Sequence, residues 1–208
     1  MAGGAGGTSL PPVAASRHWV FDMDGTLTEP LHDFDLIRRE LGIPAGADIL
    51  QHVAGLPPRQ ADECHDWLLR HERALAMAAT PAPGAVALVT TLQAAGCRLG
   101  ILTRNARELA LLTLAAIGLA HCFAAEEILG REEVAPKPAP AGLRFFAARW
   151  GVAPPAMRMV GDHYYDLASA QAAGVPAVLV NQAGDPWPGL AQWRLRDCAE
   201  LLQCWRNG

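Results

Sequence analysis

Short apolar runs that end abruptly in polar residues recur along the chain. Trp19-Val20-Phe21 stops at Asp22-Met23-Asp24-Gly25-Thr26, the pattern of a buried strand followed by an acidic, glycine-containing turn. Arg98-Leu99-Gly100-Ile101-Leu102 ends at Thr103-Arg104-Asn105, ahead of a helical run from Ala106 to Ala116. Met157-Arg158-Met159-Val160 ends at Gly161-Asp162, ahead of a helix from Tyr164 to Ala173, and Ala177-Val178-Leu179-Val180 supplies a further strand. Strands alternating with helices predict an α/β fold, a Rossmann-like parallel sheet with helices on both faces. Ligands of such sheets bind beyond the carboxyl ends of the strands, where these polar residues fall.

Residues 28–80 follow another rule. Asp33–Leu41, Asp48–Ala54 and Arg59–Ala79 carry helical spacing, with Pro44 and Pro57-Pro58 as breaks, and no strand pattern intervenes. This predicts a small all-helical cap inserted after the first strand. Pro81-Ala82-Pro83-Gly84 marks the return to the sheet, followed by a helix to Ala95. The α/β core is then expected to comprise residues 17–27 and 81–208, and a short final helix is expected around Cys198–Trp205. Residues 1–16 contain no Lys or Arg and no sustained apolar run, and read as a flexible leader rather than a secretory signal.

Composition narrows the function classes. The chain has 208 residues, 51% of them hydrophobic, with 17 basic against 21 acidic side chains, a net charge of −4. That suits one well-buried domain with a small appendage, and without a basic stripe it argues against a nucleic-acid partner. No run approaches the ~20 apolar residues of a membrane span. Five scattered cysteines (Cys64, Cys97, Cys122, Cys198, Cys204) form no ligand cluster and are expected as free thiols in a reducing compartment. The expectation is a soluble cytoplasmic protein, monomer or homodimer.

The chemistry gathers at the strand ends. Asp22 and Asp24, two apart after a strand, aim to the same side, and such crowding calls for a bound cation or a shared proton. Given a raised pKa, Asp24 can also act as a general acid. Thr103 offers a hydroxyl and backbone N–H groups near a helix start, a favourable place for an anion. Lys137, held between prolines in Ala135-Pro136-Lys137-Pro138, suits a phosphate oxygen or an aspartate. Asp162 and Asp166 add hard oxygen ligands of the kind Mg²⁺ prefers.

In this order, DMDGT, LTRN, the lysine of PKP and GDHYYD resemble the four motifs of the haloacid dehalogenase superfamily. The resemblance spans Trp19 to Val180 and is closest to members of the phosphoglycolate-phosphatase type. It implies a Mg²⁺-dependent hydrolysis of a small phosphorylated metabolite. Asp22 would be the nucleophile that becomes an aspartyl-phosphate, and Asp24 the acid and then the base. Thr103 and Lys137 would bind the phosphoryl group. Mg²⁺ would be held by Asp22, the backbone carbonyl of Asp24, and Asp162, with Asp166 behind them or acting through water. Asp24 sets the chain apart from the family's dehalogenases and transport ATPases. A sugar-phosphate mutase is the alternative, and a non-catalytic phosphate- or partner-binding member a further one. Among other residues, His163 is expected to point to solvent, and Arg38 and Arg39 to lie on a solvated helical face or to grip a substrate carboxylate. Arg59 is the cap residue singled out for substrate contact, Trp67 and Leu68 are expected in the cap core, and Asn105 reads as a helix cap. Arg104 is expected to support the phosphate or to meet neighbouring carboxylates.

Overall fold

The computed structural model describes residues 12–30 and 33–207. Six strands form one parallel sheet in the order β3-β2-β1-β4-β5-β6, with β1 (His18–Phe21), β2 (Arg98–Leu102), β3 (Ile128–Leu129), β4 (Met157–Gly161), β5 (Ala177–Leu179) and β6 (Trp193–Arg194). The expected parallel α/β sheet is therefore observed. β1 lies between β2 and β4, with Phe21 beside Ile101 on one side and Val160 on the other. The N–H of Asp22 donates to the Val160 carbonyl at 2.9 Å, which carries the ladder one residue past the strand.

The two-residue period of β1 divides the core. Trp19 and Phe21 face a layer built from α4 (Ala85–Ala94), α5 (Arg107–Ala116) and α8 (Cys198–Asn207), through Leu88, Leu92, Leu114 and Leu201. Val20 faces the opposite layer, where α6 (Ala141–Trp150) and α7 (Tyr164–Ala173) contribute Leu143, Phe146 and Leu167. Burial on both faces explains why these strands read as unbroken apolar runs rather than alternating ones.

Residues 33–77 are helical: α1 (Phe34–Glu40), α2 (Ile49–Ala54) and α3 (Pro58–Met77). The Asp33 and Asp48 side chains cap α1 and α2 by accepting from the N–H groups of Leu36 and Gln51, at 2.8 and 3.0 Å. Pro58 opens α3 instead of interrupting it, because a first-turn N–H has no intrahelical partner to lose. Ile37, Val53 and Leu68 are buried, one on each of the three helices, and Ala76 of α3 packs on Ala106 and Leu109 at the start of α5. Trp67 is half-buried and stacks on His71.

Part of the expected leader is ordered. Residues 1–11 lie outside the described residues, but Val13–Ala15 form a 3-10 turn, and Val13 is buried in the same cluster as Leu201 and Leu202 of α8. The apolar side chain of Val13 outweighs the glycine- and proline-rich composition around it. The strands β3 and β6 and the helix α6 have no counterpart in the sequence reading. Among the described residues, no helix is long and apolar enough to cross a membrane. Cys97, Cys122 and Cys198 are buried, and all five cysteines are free thiols.

Candidate active site

Beyond the carboxyl ends of β1, β2 and β4 the chain makes three tight turns. Gly25, at φ +82°, lies so close to Asp162 that a Cβ there would stand 2.5 Å from Oδ2. Gly161 is pressed against Asp166, where a Cβ would fall 2.3 Å from that residue's own Cβ. Side chains at either position would push the acidic turns apart, so these glycines let the carboxylates converge.

Asp22, Asp162 and Asp166 each present an oxygen within 4.8 Å of the others. Lys137 lies in their midst. Its Nζ donates to Asp22 Oδ1 at 2.5 Å and to Asp166 Oδ1 at 2.7 Å, and both Lys137 and Asp166 are buried. Burial alone would lower the Lys137 pKa; Asp166 and Asp22 outweigh it and hold the ammonium charged. Burial and the Asp22 charge raise Asp166, against the opposing pull of Lys137. Asp162 is raised by burial and then by Asp22 and Asp166, although Thr26 Oγ1 donates to it at 2.7 Å. One ammonium thus faces three carboxylates. That excess of negative hard oxygen donors fits a divalent cation such as Mg²⁺.

Asp24 stands apart. Its Oδ2 accepts from Asn105 Nδ2 at 2.7 Å, and burial and the Asp22 charge push its pKa up to about 7. A carboxyl poised there can give and take a proton near neutrality. Asn105 does not cap α5, whose cap residue is Ala106. Its amide instead reaches the acidic turn, while its backbone N–H donates to Thr103 Oγ1 at 3.1 Å. Thr103 is buried at the end of β2.

The insertion meets this floor through two ion pairs. Arg104 Nη2 forks onto Asp48 at 2.7 and 2.9 Å, its Nη1 donates to the Lys137 carbonyl at 3.1 Å, and its guanidinium lies 4.0 Å from the centre of the Tyr165 ring. Tyr165 OH donates to Asp48 Oδ2 at 2.8 Å. Those partners, with the Gln51 N–H, outweigh burial and hold the Asp48 pKa low. Arg131 likewise donates to both oxygens of Glu72, at 3.1 and 3.0 Å, where both side chains are largely buried.

Together floor and insertion enclose a cavity of about 400 Å³ that all six expected site residues line. His163 is exposed, as expected, and also lines the cavity's edge, with Nδ1 accepting from the Tyr165 N–H at 3.4 Å. Arg38 reaches the cavity, but Arg59 does not. Its side chain is 93% exposed and pairs with Glu63 one helical turn on. Singling out Arg59 is corrected here, because the face of α3 that carries it points to water.

A family profile described as a haloacid dehalogenase-like hydrolase matches residues 17–174. The chain belongs to the haloacid dehalogenase-like hydrolases. This hydrolase is 31% identical to a phosphoglycolate phosphatase of Rhodospirillum rubrum over 190 residues, 78% of each chain. The solved structure of a predicted phosphoglycolate phosphatase from Haemophilus somnus shares its fold with a TM-score of 0.72 at 22% identity, over 91% of this chain and 97% of that one. CbbY from Rhodobacter sphaeroides, solved in complex with phosphate, gives a TM-score of 0.69 at 21% identity, over 89% and 96% of the two chains. The expected kinship with hydrolases of the phosphoglycolate-phosphatase type holds.

Proposed function

We propose that this hydrolase cleaves a small phosphate monoester with the help of Mg²⁺, through an aspartyl-phosphate on Asp22. The observation that carries the reading is the division of labour on one turn. Asp22 is buried and tied to Lys137, whereas Asp24 is half-buried, raised to about 7 and held by its own donor. A nucleophile and a proton carrier thereby sit two residues apart with distinct partners.

In the first half-reaction an Asp22 oxygen attacks phosphorus, the bond from phosphorus to the ester oxygen breaks, and Asp24 gives its proton to the departing alkoxide. In the second, the Asp24 carboxylate takes a proton from water, whose oxygen attacks phosphorus. The bond to Asp22 then breaks and inorganic phosphate leaves. Lys137 and Thr103 neutralise and orient the phosphoryl oxygens, which is most of what such a transfer requires. Asp22, Asp162 and the backbone carbonyl of Asp24 would hold the cation, with Asp166 kept in place by Lys137 and by the His163 N–H at 3.0 Å. When bound, Mg²⁺ supplies positive charge to the phosphoryl oxygens. The kinship with phosphatases supports a small phosphorylated metabolite as substrate, and the proposed location of the reaction is the cytoplasm.

The test is phosphate release from a panel of monoesters, with and without Mg²⁺, for the native protein and Asp22→Asn. Release that needs Mg²⁺, stops with EDTA and vanishes in Asp22→Asn is expected. Full turnover in EDTA would reject the metal-assisted scheme, and retained turnover in Asp22→Asn the covalent one. Transfer of phosphate to a second sugar hydroxyl, without free phosphate, would favour the mutase reading.

A further inference from the structure

The cavity above the carboxylates is built from two kinds of surface. Its floor is charged, but Ile37 of α1, Ile49 and Leu50 of α2 and Leu68 of α3 line it from the insertion. Three arginines also reach it, and each is already engaged. Arg104 is forked onto Asp48, and Arg131 is held by both oxygens of Glu72. Arg38 donates from Nε to the Ala47 carbonyl at 3.0 Å and from Nη1 to Asp35 at 2.9 Å. A second anionic group on the substrate would meet the carboxylates of Asp48 and Glu72 and would have to pull an arginine from its partner. Breaking the buried Arg131–Glu72 pair would leave a charge without compensation, and drawing Arg104 away would give up its two-pronged hold on half-buried Asp48.

We propose that the alcohol released by this enzyme is uncharged and larger than glycolate, lying against the apolar residues of α1, α2 and α3, while Arg38, Arg104 and Arg131 brace the insertion instead of binding an anion. This rests on the phosphatase reading above and names the substrate class it takes: phosphate monoesters of neutral alcohols. It departs from the phosphoglycolate named for the relatives, whose leaving alcohol carries a carboxylate. A volume near 400 Å³ leaves room for several carbons beyond the phosphoryl group.

Matched pairs differing in one charge test it: glycerol 3-phosphate against 3-phosphoglycerate, and benzyl phosphate against 4-carboxybenzyl phosphate. The neutral member of each pair is expected to show at least tenfold higher kcat/KM, with the ratio unchanged in Arg38→Ala. Equal or inverted ratios would overturn the proposal, as would an Arg38→Ala variant that selectively loses the anionic esters. Calorimetric binding of the same pairs to Asp22→Asn with Mg²⁺ separates this inference from the chemistry beneath it. Selective binding of the neutral esters without any turnover by the native protein would support the substrate class and count against hydrolysis. Binding without selectivity overturns the substrate class whatever the turnover.

Discussion

The floor of the cavity and the insertion above it are assembled on opposite principles. In the floor, like charges are forced together: three carboxylates converge around one buried lysine, held by sheet topology and by two glycines that permit close approach. Where the insertion meets the floor, opposite charges are matched, Asp48 with Arg104 and Glu72 with Arg131. Frustrated charge suits the cation and phosphoryl group proposed for this floor. Satisfied charge is what fixes one element on another. Substitutions in the two regions should therefore fail in different ways.

The largest effect is expected at the centre of the floor. Lys137→Met removes the cation shared by Asp22 and Asp166. It should abolish turnover and lower stability by about 3–5 kcal/mol, as for other broken buried pairs, read from the urea midpoint and slope. A variant of native stability would show that Lys137 does not hold the carboxylates together.

Asp24→Asn should reduce hydrolysis of an alkyl phosphate by about 10²–10⁴-fold, the usual weight of a general acid. The loss on p-nitrophenyl phosphate should be smaller, because that leaving group needs little protonation. Asn105→Ala should show the same split more weakly, with kcat falling while KM holds. Equal losses on both esters would make Asn105 a packing residue only.

The insertion should answer with coupling rather than collapse. A double-mutant cycle on Asp48→Ala and Arg104→Ala is expected to give an interaction of about 0.5–3 kcal/mol, with KM rising more for a bulky ester than for p-nitrophenyl phosphate. Additive losses would mean that the pair does not tie α2 to the floor. The smallest effect belongs to Arg59→Ala, on the solvent side of α3, where stability should change by less than about 0.5 kcal/mol and kinetics should not change.

The same contrast governs what can be read without coordinates. Asp22, Asp24, Thr103, Asp162 and Asp166 announce themselves because each follows an apolar run that must be a buried strand, and strand ends of a parallel sheet share one rim. Lys137 is legible through its flanking prolines. The strands β1, β2, β4 and β5 carry enough apolar residues to show, whereas β3 and β6, two residues each, are too short to impose a period. Asn105 looks like a helix cap because it stands just before α5; its reach to Asp24 depends on how two turns face each other across the sheet. The partnership of Asp48 and Arg104 spans 56 positions, and no local pattern encodes it. Arg59 and Arg38 look alike as residues on cap helices, and only the packing of α1 and α3 tells which faces the cavity.

The central position of β1 has a consequence for synthesis. β1 finds its flanking neighbours only when residues 98–102 and 157–161 follow it. Asp22 waits for a lysine 115 residues downstream, and that lysine for an aspartate 29 residues beyond. Long-range pairing of this kind is slow and closes late. A nascent chain arrested before α7 would therefore carry Asp22, the proposed nucleophile, without the Asp166 carboxylate that shares its lysine.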